Sequence, residues 1–199
     1  MSRMQAGARR QQLLDVAAEL FAINGYRATT TAELARAAGV TEPILYRHFE
    51  SKLDLFLNLI EEVGNAMLNA WREAVEQGSD DGNARLRRLL AANPAADEPH
   101  LSRARVLVQA LCEAEREPEV ARLLRRHFNE TVRFVRDTLT DLRDYGTLDG
   151  DIDPEVLAFT LVHLGLGFNL LYPLRVTRHA GAVGKGQTPD LLQRLLSPG

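Results

Sequence analysis

The sequence predicts an all-α protein, with an N-terminal three-helix domain joined by a long helix to a C-terminal helical bundle. Three observations predict it. Helix-forming Leu, Ala, Arg and Glu are abundant and β-branched runs are few. Apolar residues recur at three- and four-residue spacing along most of the 199 residues. Gly, Pro, Ser, Thr and Asp stand between those stretches, where helices start and stop.

The segment Met1 to Arg10 is small, polar and basic, and is expected to be a flexible arm. Leu13, Ala17, Leu20 and Phe21 then fall on one face of a first helix, which Gly25 ends. Thr30 precedes Glu33 by three residues, a capping box opening a second, short helix. Gly39 breaks that helix and supplies a tight turn. Thr41 caps a third helix, with Pro43 in its first turn, running through Tyr46 and Phe49. Ser51 and Asp54 repeat the capping pattern for a long fourth helix, whose apolar line is Leu53, Phe56, Leu57, Ile60, Val63, Met67 and Trp71.

The rest reads as helical too. Leu86, Leu89 and Leu90 mark a short helix before Asn93-Pro94, and Ala95 to Pro99 forms a loop. Leu101, Leu107, Val108 and Leu111 lie on the next helix. Pro118 then opens a long one with a seam of Val120, Leu124, Phe128, Val135, Leu139 and Leu142. A turn at Gly146 to Asp151 leads to Asp153-Pro154, a cap and first position. Val156 to Leu171 is apolar nearly all round; after a Gly-rich stretch, Thr188-Pro189 starts a last short helix, extending at most to Ser197. The expected domains are 1–52 and 53–199.

Bulk properties restrict the function. No apolar run is long enough to span a bilayer, and the start lacks a signal-peptide core. Cys112, the single cysteine, can form neither an internal disulfide nor a cysteine-based metal site. A reducing, cytoplasmic setting is expected, without membrane association. His127 and His163 lie on separate helices and Cys112-Glu113 has no partner in sequence, so neither an enzyme nor a cofactor is expected. The net charge of −3 does not suggest a nucleic-acid binder. Its distribution permits one, because residues 1–52 hold seven Lys or Arg against five acids.

The stretch Thr31 to Phe49 meets the demands of a helix-turn-helix. Leu34, Ala38, Val40 and Leu45 would point inward, Ala35 is small where helices cross, and Gly39 takes the turn. A short, capped recognition helix lets its N-terminal residues reach base edges in the major groove. A plain helical hairpin would satisfy the same spacing, since these residue types are common.

Residues Leu13 to Ile60 resemble the N-terminal domain of tetracycline-repressor-like (TetR) regulators. The resemblance rests on Leu20-Phe21, Gly25-Tyr26, Thr30-Thr31, Leu34-Ala35, Gly39-Val40, and Leu45-Tyr46-Arg47-His48-Phe49 with Lys52. It implies double-stranded operator DNA as partner. It also implies a homodimer, a small-molecule effector of apolar or amphipathic character bound by the C-terminal domain, and repression relieved by that effector. A helical DNA-binding protein without an effector is the competing reading. Thr31, Tyr46 and Lys52 match positions that hold phosphates, which fix register rather than sequence. Base reading would fall to Thr41, Glu42, Pro43, Ile44 and Arg47. Glu42 can accept from cytosine N4 and Arg47 can address guanine; first-turn helix stabilisation is the plainer role for Glu42. His48 matches a position often packed inward.

For the effector, Met67, Trp71, Leu107, Leu111, Phe128 and Phe168 offer apolar surface, with Gln109, His127 and Asn169 as polar groups nearby. The same residues would serve a packed core. Helix 154–171 and the C-terminal helix are the expected dimer contacts, with Ala158, Gly165 and Gly167 allowing close approach; a buried monomer helix is the alternative.

Overall fold

The computed structural model describes residues 3–76, 81–91, 98–171 and 187–196, with the side chains of 3–5, 98–104, 168–169, 171 and 187 excepted. Among the described residues the secondary structure is helical throughout: α1 (Arg3–Asn24), α2 (Thr31–Ala37), α3 (Glu42–Tyr46), α4 (Lys52–Glu76), α5 (Gly82–Ala91), α6 (Glu98–Glu113), α7 (Pro118–Asp144), α8 (Pro154–Leu171) and α9 (Gln187–Leu196). The chain divides into two compact units, one of residues 1–65 and 99–125, the other of 66–98 and 126–199.

In the first unit α2 packs on α1 and α3 on α2. Leu13, Leu14, Ala17 and Phe21 of α1, Leu34 and Ala35 of α2, and Leu45 of α3 are buried. So are Leu55, Phe56, Leu59, Ile60 and Val63 of α4. Each Leu or Phe removed from water contributes about 1.5–3 kcal/mol. Phe21, Tyr26 and Phe56 form a three-ring cluster, Tyr26 stacked on Phe56 at 4.3 Å and Phe21 meeting both edge-on at 5.4–5.5 Å. These rings fasten the α1–α2 turn to α4.

The helix ends explain where each element stops. Gly25 turns the chain out of α1 at φ +83°, a backbone region costly for residues with a Cβ. Gly39, at φ +66°, closes α2. There the Val40 N–H donates to the Ala35 carbonyl (2.9 Å) and the Gly39 N–H to Arg36 (3.1 Å), a Schellman end. Gly146 ends α7 the same way at φ +71°, with Thr147 donating to Leu142 (2.9 Å). Thr30 and Glu33 form the reciprocal box at the start of α2, and Asp153 Oδ1 accepts the Glu155 N–H at the start of α8 (2.8 Å).

Two helices depart from expectation. The segment expected to be an arm is helical from Arg3, extending α1. Arg10 anchors it: its guanidinium lies 5.0 Å from the centre of the Phe49 ring and donates to Asn58 Oδ1 (2.5 Å). The third helix ends at Tyr46, short of Phe49, and Thr41 occupies the cap position without a side-chain cap bond.

The second unit is built on Val75, Leu86, Leu89, Val132, Val135, Leu139, Leu142, Ala158 and Val162. α7 supplies four of these at three- and four-residue spacing: Val135, Leu139 and Leu142 of its expected seam, and Val132, which the seam left out. The two faces of α8 differ. Ala158 and Val162 are buried, while Val156, Phe159, Leu164 and Leu170 are exposed. α9 likewise buries Leu196 and exposes Leu191 and Leu195. A Cβ on Gly165 would lie 3.9 Å from Trp71 Cζ2, whereas one on Gly167 would meet nothing within 4 Å.

Candidate nucleic-acid interface

The loops around α2 and α3 bring most of the expected DNA residues together. Thr41, Pro43, Tyr46 and Arg47 are exposed, while Thr31, Glu42 and Ile44 are half-buried. Leu34, Ala38 and Leu45 are buried beneath them and Val40 is half-buried, so the inward positions of the motif form the floor. His48 is half-buried at the rim rather than in the core.

Three polar residues form a chain across this surface. Tyr46 Oη donates to Thr31 Oγ1 over a long 3.4 Å, and Thr31 Oγ1 donates to Glu42 Oε1 at 2.6 Å. Glu42 is a first-turn acid of α3, in keeping with the macrodipole. It is also tied across the turn to the first residue of α2, a contact between residues 11 apart.

Lys52 is differently placed. Its ammonium donates to the carbonyls of Tyr26 (3.0 Å), Thr29 (3.0 Å) and Arg27 (3.5 Å) and lies 4.5 Å from the centre of the Tyr26 ring. A lysine has three donors, and here backbone oxygens of the α1–α2 connection accept all three. Burial holds its pKa below the usual lysine value, against the raising influence of Glu113. The same connection is held from α6. Arg27 Nε donates to both oxygens of Glu113 (3.0 and 2.9 Å), a carboxylate that is nearly fully buried. Gln109, expected near an apolar pocket, instead sits with its Oε1 3.5 Å from where a Cβ on Gly25 would be. Burial, then Glu117 and Glu113, raise the pKa of Tyr26. No sequence signal marks the Arg27–Glu113 pair, because its members stand 86 residues apart.

The residues expected to bind an effector are divided between the units. Met67, Trp71 and Phe128 belong to the second and are half-buried, Trp71 and Phe128 packing against its core. Leu107 and Leu111 belong to the first, Leu111 exposed. The side chains of Phe168 and Asn169 lie outside the described residues. Trp71 Nε1 is buried without a hydrogen-bond partner among the described residues, and an unmet buried donor is costly.

Residues 13–59 match the family model described as bacterial regulatory proteins of the tetR family, and residues 82–197 match that of the BetI-type transcriptional repressor C-terminal domain. The chain is 38% identical over 80 residues to the HTH-type transcriptional activator FasR of Mycolicibacterium smegmatis, covering 40% of this chain and 36% of that one. It is 42% identical over 72 residues to the HTH-type transcriptional repressor KstR2 of Rhodococcus jostii, covering 36% and 35%. The aligned stretch thus spans little more than a third of either relative. The ketosteroid transcriptional regulator KstR2 of Mycobacterium tuberculosis has a similar fold, with a TM-score of 0.73 at 23% identity over 96% of both chains.

Proposed function

The chain belongs to the TetR family of bacterial regulatory proteins, and from that membership we propose that it is a dimeric, operator-binding transcriptional repressor released by a small-molecule effector. The family consists of regulators and not enzymes. The observation that carries the reading is the exposed face of α3, where Thr41, Pro43, Tyr46 and Arg47 stand on a buried floor behind a Schellman turn. In the major groove, Arg47 pairs with guanine, Pro43 and Ile44 make apolar contacts, and Tyr46 fixes register on a phosphate. Repression is favoured by the repressor model that matches residues 82–197.

Dimerisation is supported by the outward apolar residues of α8, Val156, Phe159, Leu164 and Leu170, and of α9, Leu191 and Leu195, since exposed apolar patches mark interaction sites. No described helix is long and apolar enough to cross a membrane, and work on DNA in the cytoplasm is part of the proposal. The second unit is the proposed effector site, with Met67, Trp71 and Phe128 supplying apolar contact and the Trp71 indole N–H a donor unmet among the described residues. An apolar ligand carrying a hydrogen-bond acceptor suits that set.

Selection from random duplexes, followed by anisotropy titration, tests the reading. The expected product is a palindrome with half-sites about 34–36 Å apart, or a multiple of that. Arg47→Ala should cost roughly 1–3 kcal/mol at one position of each half-site. Equal binding to all sequences overturns the proposal. For the effector, ligand and operator must weaken one another by the same factor. Titration followed by Trp71 fluorescence with and without operator reads that factor, and identical affinities exclude the coupling.

A further inference from the structure

We infer that Glu42 is the specificity-determining acceptor of the recognition helix, selecting cytosine, and that Thr31 is its positioning residue rather than a phosphate contact. This assignment rests on the operator-binding reading above. A threonine hydroxyl has one proton to donate. In this structure that proton goes to Glu42 Oε1 at 2.6 Å, within the short range of a charge-assisted bond. Thr31 is therefore not a free donor for a phosphate oxygen. Its own oxygen accepts from Tyr46 Oη at 3.4 Å, so the Tyr46 hydroxyl backs Thr31, and Thr31 alone holds the carboxylate. Glu42 Oε2 has no partner among the described residues.

The chemistry of the groove then selects the base. A carboxylate only accepts, and beside a phosphodiester backbone it is repelled unless it meets a donor. The major-groove donors are the amino groups of cytosine and adenine. Adenine sets the N7 acceptor next to its amino group, which opposes a second carboxylate lone pair, while cytosine presents N4 alone. Fixing one oxygen through Thr31 removes rotamers that the side chain would otherwise lose on binding, so the reader is pre-organised. Where cytosine is absent the charge remains near DNA without a donor, which lowers affinity for other sequences.

The test uses the full-length protein and a half-site library carrying all four bases at each position. Wild type should prefer cytosine at one position of each half-site by about tenfold or more. Glu42→Ala should abolish that preference, leave the others in place, and strengthen binding to random-sequence DNA. Thr31→Val should weaken the same preference at the same position, with unchanged affinity for random DNA and unchanged salt slope; Thr31→Ser, which keeps the hydroxyl, should restore it. Glu42→Ala and Thr31→Val combined should match Glu42→Ala alone. A Thr31→Val loss that is uniform across sequences returns Thr31 to the phosphate class and overturns the assignment. A cytosine preference that survives Glu42→Ala does so too. A wild type with no sequence preference at any position overturns the operator-binding reading itself. Thermal melts of each variant separate these outcomes from unfolding.

Discussion

At Lys52 the motif and the geometry assign different work to one residue. The family pattern makes it a phosphate contact, but its ammonium is held by three carbonyls of the α1–α2 connection and by the Tyr26 ring. Lys52→Met leaves those carbonyls without their donor, at a cost of about 1–3 kcal/mol. The melting temperature should fall and operator affinity with it, while the slope of log affinity against log salt stays unchanged. A slope smaller by about one unit would mean that the ammonium leaves the loop for DNA. Glu33 gives a second, pH-dependent case. The Thr30 N–H, at 2.8 Å, and the Thr30 hydroxyl hold its carboxyl below the usual value of 4.5. A depressed carboxyl stabilises the fold above its ordinary pKa and loses that contribution as pH falls through the depressed value. The melting-temperature gap between wild type and Glu33→Gln should therefore be full near neutral pH and close as the solution is taken well below 4.5. A gap independent of pH would show that the charge adds nothing to the cap. Thr30→Ala should cost about 1 kcal/mol. The Thr30–Glu33 cap joins residues three apart, and the sequence made it legible for that reason. The Thr31–Glu42 bond and the Lys52 clamp join residues 11 to 26 apart, and spacing alone carries no trace of them.

Among whole elements, those punctuated by local chemistry were the most legible. α2 lies between a capping box and a Schellman glycine, and α8 begins at Asp153-Pro154 as its residues require. The start of α1 was not legible, because what orders Arg10 is a ring and an amide from residues 39 and 48 positions later. The end of α3 was not legible either, since Phe49 continues the apolar pattern past the helix that carries it. α8 reads correctly as an element with two apolar faces, one of them left outside the core. Phe159 (37% exposed) lies at the edge of that outer face, its ring centre 6.1 Å from that of Phe128. Phe159→Asp should dissociate the proposed dimer while leaving the second unit folded, because Phe159 is no part of its buried core. Sedimentation velocity reads the mass and circular dichroism the helicity. A dimer that survives the substitution would move the interface elsewhere.

For the molecule as a whole, the division into units does not coincide with loops. The chain passes between them at 65–66, 98–99 and 125–126, and the first and third of these points lie inside α4 and α7. A continuous helix shares one hydrogen-bond ladder, so melting one unit removes support from the other. Trp71, the single tryptophan, reports on the second unit, and the tyrosines Tyr26 and Tyr46 report on the first. Their denaturation curves should coincide; separated midpoints would mean that the units unfold independently. The uninterrupted α4 has a further consequence, for how such a protein can be rearranged by recombination. At 65–66 the two units are joined through helix, not through a linker at which one could be exchanged as a cassette. A crossover at that point falls within a helix and has to keep its phase, because one residue gained or lost rotates everything downstream by about 100°. Joints made inside α4 therefore pass a new sensor to this reader only where helical register is conserved, and most random junctions there are selected out before their chemistry is tried.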